Sequence, residues 1–151
     1  KSSRLYRSLV LEKKIASEIG AWNGWPGARY DNLFLVAATP TPGHSLEELE
    51  KEIYKEVGRL KSDITAQELE NARNRIESKF VFNLSDNEEV AGILSYFQTI
   101  FGDWAEMLNY MNQIQKVTAQ DVKQAAGKYL VEKNRIVGML KDTKDVQGGA
   151  K

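Results

Sequence analysis

Apolar and polar positions recur at spacings of three and four over most of the chain, which predicts helices. A first helix is predicted from about Ser3 to Ala16, with Ser2 or Ser3 as its N-cap. Ser45 and Thr65 each precede a glutamate by three residues, and such capping boxes predict that a helix begins after each of them. Three further predicted helices cover about Glu88–Phe101, Trp104–Gln115 and Ala119–Leu130.

Two early stretches depart from helical spacing and predict strands, at about Ser17–Trp22 and Leu33–Thr39. The residues between them, Asn23-Gly24-Trp25-Pro26-Gly27, predict the turn of a hairpin, because glycine tolerates positive φ and proline donates no ladder hydrogen bond. A last strand is predicted over Arg135–Leu140, returning to the sheet. This order predicts an α+β fold in two layers, a small and mainly antiparallel sheet with helices on one face.

Composition limits the classes of partner. The chain has 151 residues, enough for one core, and we predict a single domain over 1–141 with a flexible tail or linker at 142–151. Lys and Arg balance Asp and Glu at 21 each, so there is no long-range positive field and we expect no nucleic-acid partner. No apolar run approaches the roughly 18–20 residues that cross a bilayer, so no membrane span is expected in this chain.

Candidate chemistry in the sequence is sparse. The chain has no cysteine, and its one histidine, His44, lies in a Pro/Gly-containing loop, so a zinc site is not expected. Glu88 and Glu89 are adjacent on a predicted helix and therefore point about 100° apart, in a first turn where negative charge suits the helix dipole. The sequence predicts no catalytic residue and no metal ligand in this chain.

Two groups of aromatic residues are candidates for contact surfaces. The group around the predicted turn is a candidate contact for substrate or a partner domain, and core packing is the alternative interpretation. The other group, across a predicted helix break, is interpreted as core or interface. Their members are Trp22, Trp25 and Tyr30 in the first group, and Tyr96, Phe97, Phe101 and Trp104 in the second.

Four segments occur in an order that matches a known family. They are SSRLYRSLVLEKKIA at 2–16, DNLFLVAATPTPG at 31–43, TAQELENAR at 65–73 and VTAQDV at 117–122. Together they resemble the second, non-catalytic ("inactive") domain of bacterial subunits of the pitrilysin/insulinase-type zinc metallopeptidases, which are mitochondrial-processing-peptidase-like proteins. The resemblance extends over about residues 1–141 and implies the processing-peptidase-like metallohydrolase fold, here without its first strand and helix.

The resemblance also implies a function. Such a domain forms part of the wall of a peptide-degrading chamber and docks to the catalytic domain of the same polypeptide and to a homologous partner subunit or a second copy, with peptide as the substrate of the assembled enzyme. It implies zinc in the catalytic domain of the parent protein, a zinc metalloendopeptidase, and no cofactor in this chain, which alone is inactive. The alternative is a structural subunit of the same fold in a complex without peptidase activity. A bacterial periplasm or cell envelope is favoured over the cytoplasm.

One family feature is absent. Members carry an arginine and a tyrosine that contact substrate, and the matching positions here are Val10 and Ser17. The resemblance therefore implies that a partner subunit supplies the arginine–tyrosine pair.

Overall fold

A computed structural model of the chain describes residues 3–141. The predicted tail at 142–151 and the alternative cap Ser2 lie outside the described residues. The described part is α+β, as predicted, with one two-stranded antiparallel sheet and six helices.

The first helix, α1, is α-helical over Arg4–Tyr6 and π-helical over Arg7–Glu12. Ser3 is its N-cap, and the Tyr6 amide donates to the Ser3 hydroxyl oxygen at 3.4 Å. The predicted continuation to Ala16 is wrong, because Lys14 takes a left-handed φ of 57° and turns the backbone out of the helix. Ile15 lies in the connection, and Ala16 begins the first strand.

The hairpin consists of β1 (Ala16–Trp25) and β2 (Leu33–Pro40), paired antiparallel. The prediction that Asn23, Gly24 and Trp25 form the turn is wrong, because these residues still belong to β1. The register shifts by one residue near each end of β1, at Ser17 and at Gly24, and each shift is a bulge. Bulges interrupt the period-2 pattern, which is why the strand is longer than its alternation predicts.

The core lies where α1 and a second helix, α2 (Leu46–Arg59), cover one face of the sheet. Ala16 and Ile19 both point into it, although they are three residues apart, because the bulge at Ser17 adds a residue between them. The buried apolar side chains of this core are Leu9, Ile15, Ala16, Ile19 and Leu49, packed by Val36, Ala38 and Ile53 among others.

Four more helices follow, and those with predicted bounds agree within about two residues of the prediction. They are α3 (Ala66–Asn83), α4 (Asn87–Phe101), α5 (Glu106–Lys116) and α6 (Ala119–Tyr129), and a 3₁₀ turn at Glu132–Asn134 comes after them. Gly102, with φ 77°, ends α4 as predicted. The connections between consecutive helices are short.

The hydrogen bonds at the helix starts show which capping boxes form completely. Thr65 and Thr118 form complete boxes with the residues three positions later. At Ser45 the predicted box is only half formed: the Glu48 amide donates to the serine hydroxyl at 3.0 Å, but the Glu48 carboxylate contacts His44 Nδ1 at 2.9 Å instead of the cap's amide. A side chain just before the cap therefore competes successfully for the glutamate.

The predicted last strand, Arg135–Leu140, is wrong. Within residues 3–141 the sheet contains only β1 and β2, and this segment joins neither. It is held beside α2 instead, by the Arg135 guanidinium 4.0 Å from the Tyr54 ring centre and by Lys141 Nζ 2.6 Å from Glu47 Oε1. Ile136 and Leu140 are 93% and 97% exposed. Apolar alternation forms a strand only where a sheet edge is adjacent to it.

Candidate docking surface

The bulge at Gly24 decides which side chains the hairpin presents together. Trp22 pairs with Leu35, and Trp25 pairs with Leu33. Directly opposed residues on antiparallel strands share a face of the sheet, and the extra residue at Gly24, with φ 87°, shifts the alternation of β1 by one. Both tryptophans therefore lie on the face opposite the core. We call Trp22, Trp25, Leu33 and Leu35 the hairpin face.

The hairpin face is open to solvent in the described part of the chain. Trp22 and Trp25 are 52% and 54% exposed, and Leu33 is exposed to a similar degree. The indole of Trp22 lies over Gly20, where a Cβ would come within 2.7 Å of the ring. Glycine at this position makes room for the ring, so the indole covers the strand instead of extending away from it.

Tyr30 does not belong to a strand. It lies in the connection between β1 and β2, is exposed, and has the Arg29 guanidinium 5.8 Å from its ring centre. The structure thus brings two of the three predicted contact residues, Trp22 and Trp25, onto one face and leaves Tyr30 on the loop beyond it. Their predicted contact with substrate or a partner stays a prediction.

The other aromatic group divides between interior and surface. Phe97 is buried, and its ring stacks on Phe101 at 5.3 Å and meets Tyr96 edge-on at 5.7 Å. Tyr96, Phe101 and Trp104 remain about half exposed. One residue of the predicted group is therefore core, and three lie on the surface, Tyr96 and Phe101 on α4 and Trp104 in the turn before α5.

The candidate catalytic residues do not converge. The His44 ring pairs with Glu48, and the amides of Glu88 and Glu89 both donate to Asp86 Oδ1, at 2.8 and 3.1 Å. Asp86 is the N-cap of α4, a role that an acidic residue just before the first turn indicates. Among residues 3–141, no three His, Cys, Asp or Glu side chains are grouped to hold a metal ion. The described residues therefore do not fit zinc.

The two substituted family positions lie in different elements, Val10 in the π-helical part of α1 and Ser17 near the start of β1. Val10 is half buried and packs against the core, and the Ser17 hydroxyl donates to the Thr39 carbonyl at 3.2 Å at the first bulge. These side chains stabilise the fold locally. That a partner subunit supplies the arginine–tyrosine pair stays a prediction.

A charged junction connects α1 to the start of α3. Arg4 donates to both carboxylate oxygens of Glu68, at 3.1 and 2.8 Å, and to Asp63 Oδ1 at 2.9 Å. The hydrogen bonds that Arg4 donates lower the pKa of the Glu68 carboxyl group to about 2. Nearby, the buried Ser8 hydroxyl donates to Glu56 at 2.8 Å. Sequence reasoning missed these contacts, since no local pattern relates residues so far apart in the chain.

No helix within residues 3–141 has both the length and the apolarity needed to cross a bilayer.

Comparison with known proteins places these features in context. A sequence profile of the peptidase M16 inactive domain matches residues 1–76. The zinc protease PqqE of Helicobacter pylori is 28% identical over 142 residues, which are 93% of this chain and 31% of that protein. The chain thus spans about a third of the length of this relative.

Solved structures agree with the sequence matches. A protease from Helicobacter pylori superposes with a TM-score of 0.79 at 29% identity, over 89% of this chain and 32% of that chain. The inactive peptidase domain of a Bordetella parapertussis protein assigned as a zinc protease superposes with a TM-score of 0.76 at 27% identity, over 91% of this chain and 73% of that one.

Proposed function

Because the chain belongs to the peptidase M16 inactive-domain family, we propose that it serves as the non-catalytic domain of a zinc-dependent metalloendopeptidase. In the assembled enzyme it forms part of the wall of a peptide-degrading chamber and docks to the catalytic domain and to a partner subunit. Zinc belongs to the catalytic domain in this proposal. The observation that carries the proposal is the family match, and it is supported by the similarity to a zinc protease of which this chain spans 31%.

The hairpin face supports the docking part of the proposal. It combines two half-exposed indoles with two leucines, and residues 19–25 and 33–40 contain no Lys, Arg, Asp or Glu, although 28% of the chain is charged. Depletion of charge with enrichment of aromatic residues is typical of the centre of a protein interface. Large exposed apolar patches on globular domains commonly mark such interfaces. We therefore assign the hairpin face to the contact with the catalytic domain.

Docking is tested by recombining separately expressed parts. The probe is the zinc-binding remainder of the longer protein encoded around this chain, and its affinity for the 151-residue chain is measured by calorimetry. We expect Trp22→Ala with Trp25→Ala to weaken binding about tenfold or more, because aromatic anchors dominate interface energies. Trp104→Ala is the matched control, since this tryptophan is 50% exposed but lies outside the hairpin. Equal loss with the control variant would contradict the assignment of the hairpin face.

The peptidase part is tested by activity and metal content. The longer protein is expected to cleave a quenched fluorescent peptide, to lose this activity with 1,10-phenanthroline, and to contain zinc. The isolated chain is expected neither to cleave the peptide nor to contain zinc. Binding of the two parts without zinc or hydrolysis would instead establish the structural-subunit alternative. Hydrolysis by the isolated chain, removed by changing one of its own side chains, would overturn the proposal altogether.

A further inference from the structure

Charge is distributed unevenly along this neutral chain. Residues 80–115 contain five carboxylates and no Lys or Arg, so all 21 basic residues lie elsewhere, together with the other 16 acidic ones. This stretch covers the end of α3, all of α4 and nearly all of α5. Asymmetry of this kind points to a partner of opposite charge. The acidic residues are Asp86, Glu88, Glu89, Asp103 and Glu106.

The same region holds an open groove of about 1220 Å³ between α3, α4 and α5. Its floor is aromatic: the ring of Tyr110 lies 5.9 Å from that of Phe80 and 5.7 Å from that of Phe97. Phe82 and Phe101 line the groove and remain exposed. Phe97 is buried at the base of this floor, whereas the exposed rings of Phe82 and Phe101 form apolar surface that residues 3–141 leave uncovered.

Carboxylates line this groove beside the aromatic floor. Asp86, Glu88 and Glu89 contribute to its lining, and Lys79 is the one cationic side chain there. Gly92 also lines the groove, and a Cβ at this position would meet no atom within 4 Å. The groove therefore offers an aromatic floor, an acidic border and vacant space at the middle of α4.

We propose that this groove binds a cationic amphipathic helical segment of a partner polypeptide. Apolar side chains of the segment lie on the aromatic floor, and its Lys and Arg side chains face the carboxylates. The acidic border repels nucleic acid and anionic lipid. It also disfavours a two-fold pairing of two copies through this surface, because that contact would place the three lining carboxylates of one copy opposite the same three of the other. The inference does not depend on the proposed function, and either can fail alone.

The binding experiment uses the 151-residue chain and fluorescein-labelled 18-residue peptides, with fluorescence anisotropy as the readout. The probe peptide contains Leu and Lys, with Leu at helical spacings of three and four. One comparison peptide replaces Lys by Glu, and another replaces Leu by Ser. We expect the Leu/Lys peptide to bind at least about tenfold more tightly than either, because only it matches both the floor and the border.

Variants locate the binding. Gly92→Trp fills the groove and should weaken the Leu/Lys peptide about tenfold or more, whereas Gly127→Trp is the matched control, a glycine on α6 with equally open space around its Cβ. Replacing both Glu88 and Glu89 by Gln should weaken binding about fivefold and reduce its salt dependence. The charge control replaces Glu18 and Glu70, two exposed glutamates outside the groove, by Gln.

Three results would overturn the inference. The first is equal affinity for the Gly92→Trp and Gly127→Trp variants, which would place the peptide elsewhere. The second is binding of the Leu/Glu peptide as tight as that of the Leu/Lys peptide, which would remove the role of charge. The third is a dimer in light scattering that Gly92→Trp dissociates, because the occupant would then be a second copy.

Discussion

The two halves of the described chain use their apolar residues differently. The sheet unit, residues 3–60, contains five of the seven buried hydrophobic side chains of the described residues, and these five form one cluster. The helical lobe, residues 65–130, has only Phe97 and Ala126 as buried hydrophobic residues and leaves aromatic side chains of α3, α4 and α6 on its surface. The sheet unit thus has its own apolar interior and exposes the hairpin face on its other side, whereas the lobe has little apolar interior and keeps most of its large apolar side chains on the surface.

The largest expected effect comes from the core of the sheet unit. Leu9→Ala removes a fully buried side chain and should lower the free energy of unfolding by about 3 kcal/mol. Leu108→Ala makes the same chemical change in the lobe, at a side chain that is 65% exposed, and should cost less than about 0.5 kcal/mol. Urea unfolding of both variants measures the difference. Similar losses would show that the two halves do not differ in packing.

The junction between the halves should be the next most sensitive point. Arg4→Ala leaves Glu68 and Asp63 without the guanidinium of Arg4 and should lower the free energy of unfolding by about 1.5 kcal/mol. This value is at the lower end of the range for hydrogen bonds to charged groups, because both carboxylates are partly solvated. Hydrogen exchange of the α3 amides should accelerate more than that of β1. Unchanged exchange at the start of α3 would contradict this role.

The same junction predicts a pH dependence. In the folded state the pKa of Glu68 is lowered to about 2, mainly by the hydrogen bond from Arg4, whereas its value in the unfolded chain is 4.5. The ionised Glu68 therefore contributes fully to folding stability above pH 4.5, and this contribution is lost as the pH falls toward 2. Stability of the unchanged chain should therefore decrease across this interval. Arg4→Ala should flatten that part of the profile, which thermal unfolding at a series of pH values detects. Part of the slope should remain in Arg4→Ala, because the pKa of Glu52 is also lowered to about 2 by Lys13 and Lys55, and hydrogen bonds from Lys141 and Thr118 lower the pKa values of Glu47 and Asp121.

Capping within the lobe should have a smaller effect. Thr118→Ala removes a complete capping box at the start of α6 and should cost about 1 kcal/mol. Ser45→Ala removes half a box at the start of α2 in the sheet unit, so a smaller loss is expected there. Chemical denaturation of the two variants compares them directly, and a larger loss at Ser45 would disprove the comparison.

The smallest effect is expected beside α2. Ile136→Ser changes a side chain that contacts almost nothing within the described residues and should alter stability by less than about 0.5 kcal/mol. Calorimetric unfolding measures this change. A loss above about 1 kcal/mol would mean that Arg135–Leu140 is packed more tightly than the structure describes, as the predicted strand would be.

The family and the α+β class predicted from the sequence are both confirmed, because four ordered segments carried the resemblance and helical spacing is a local property. Of the site, it identified the hairpin tryptophans but not their shared face. It also missed Asp86 as a cap and Arg4 as the junction. The turn at Gly24 was placed too early, since a bulge imitates a break in alternation.

The sequence by itself determined those features that depend on interactions between residues a few positions apart. Thr65 and Thr118 cap helices because their hydroxyls reach amides only three positions away, and Gly102 ends α4 because it adopts a left-handed backbone. The tertiary structure alone decided the rest. Bulge positions, the Arg4 junction and the absence of a strand at Arg135–Leu140 depend on which segments become neighbours, and that is settled by packing and pairing across the whole chain.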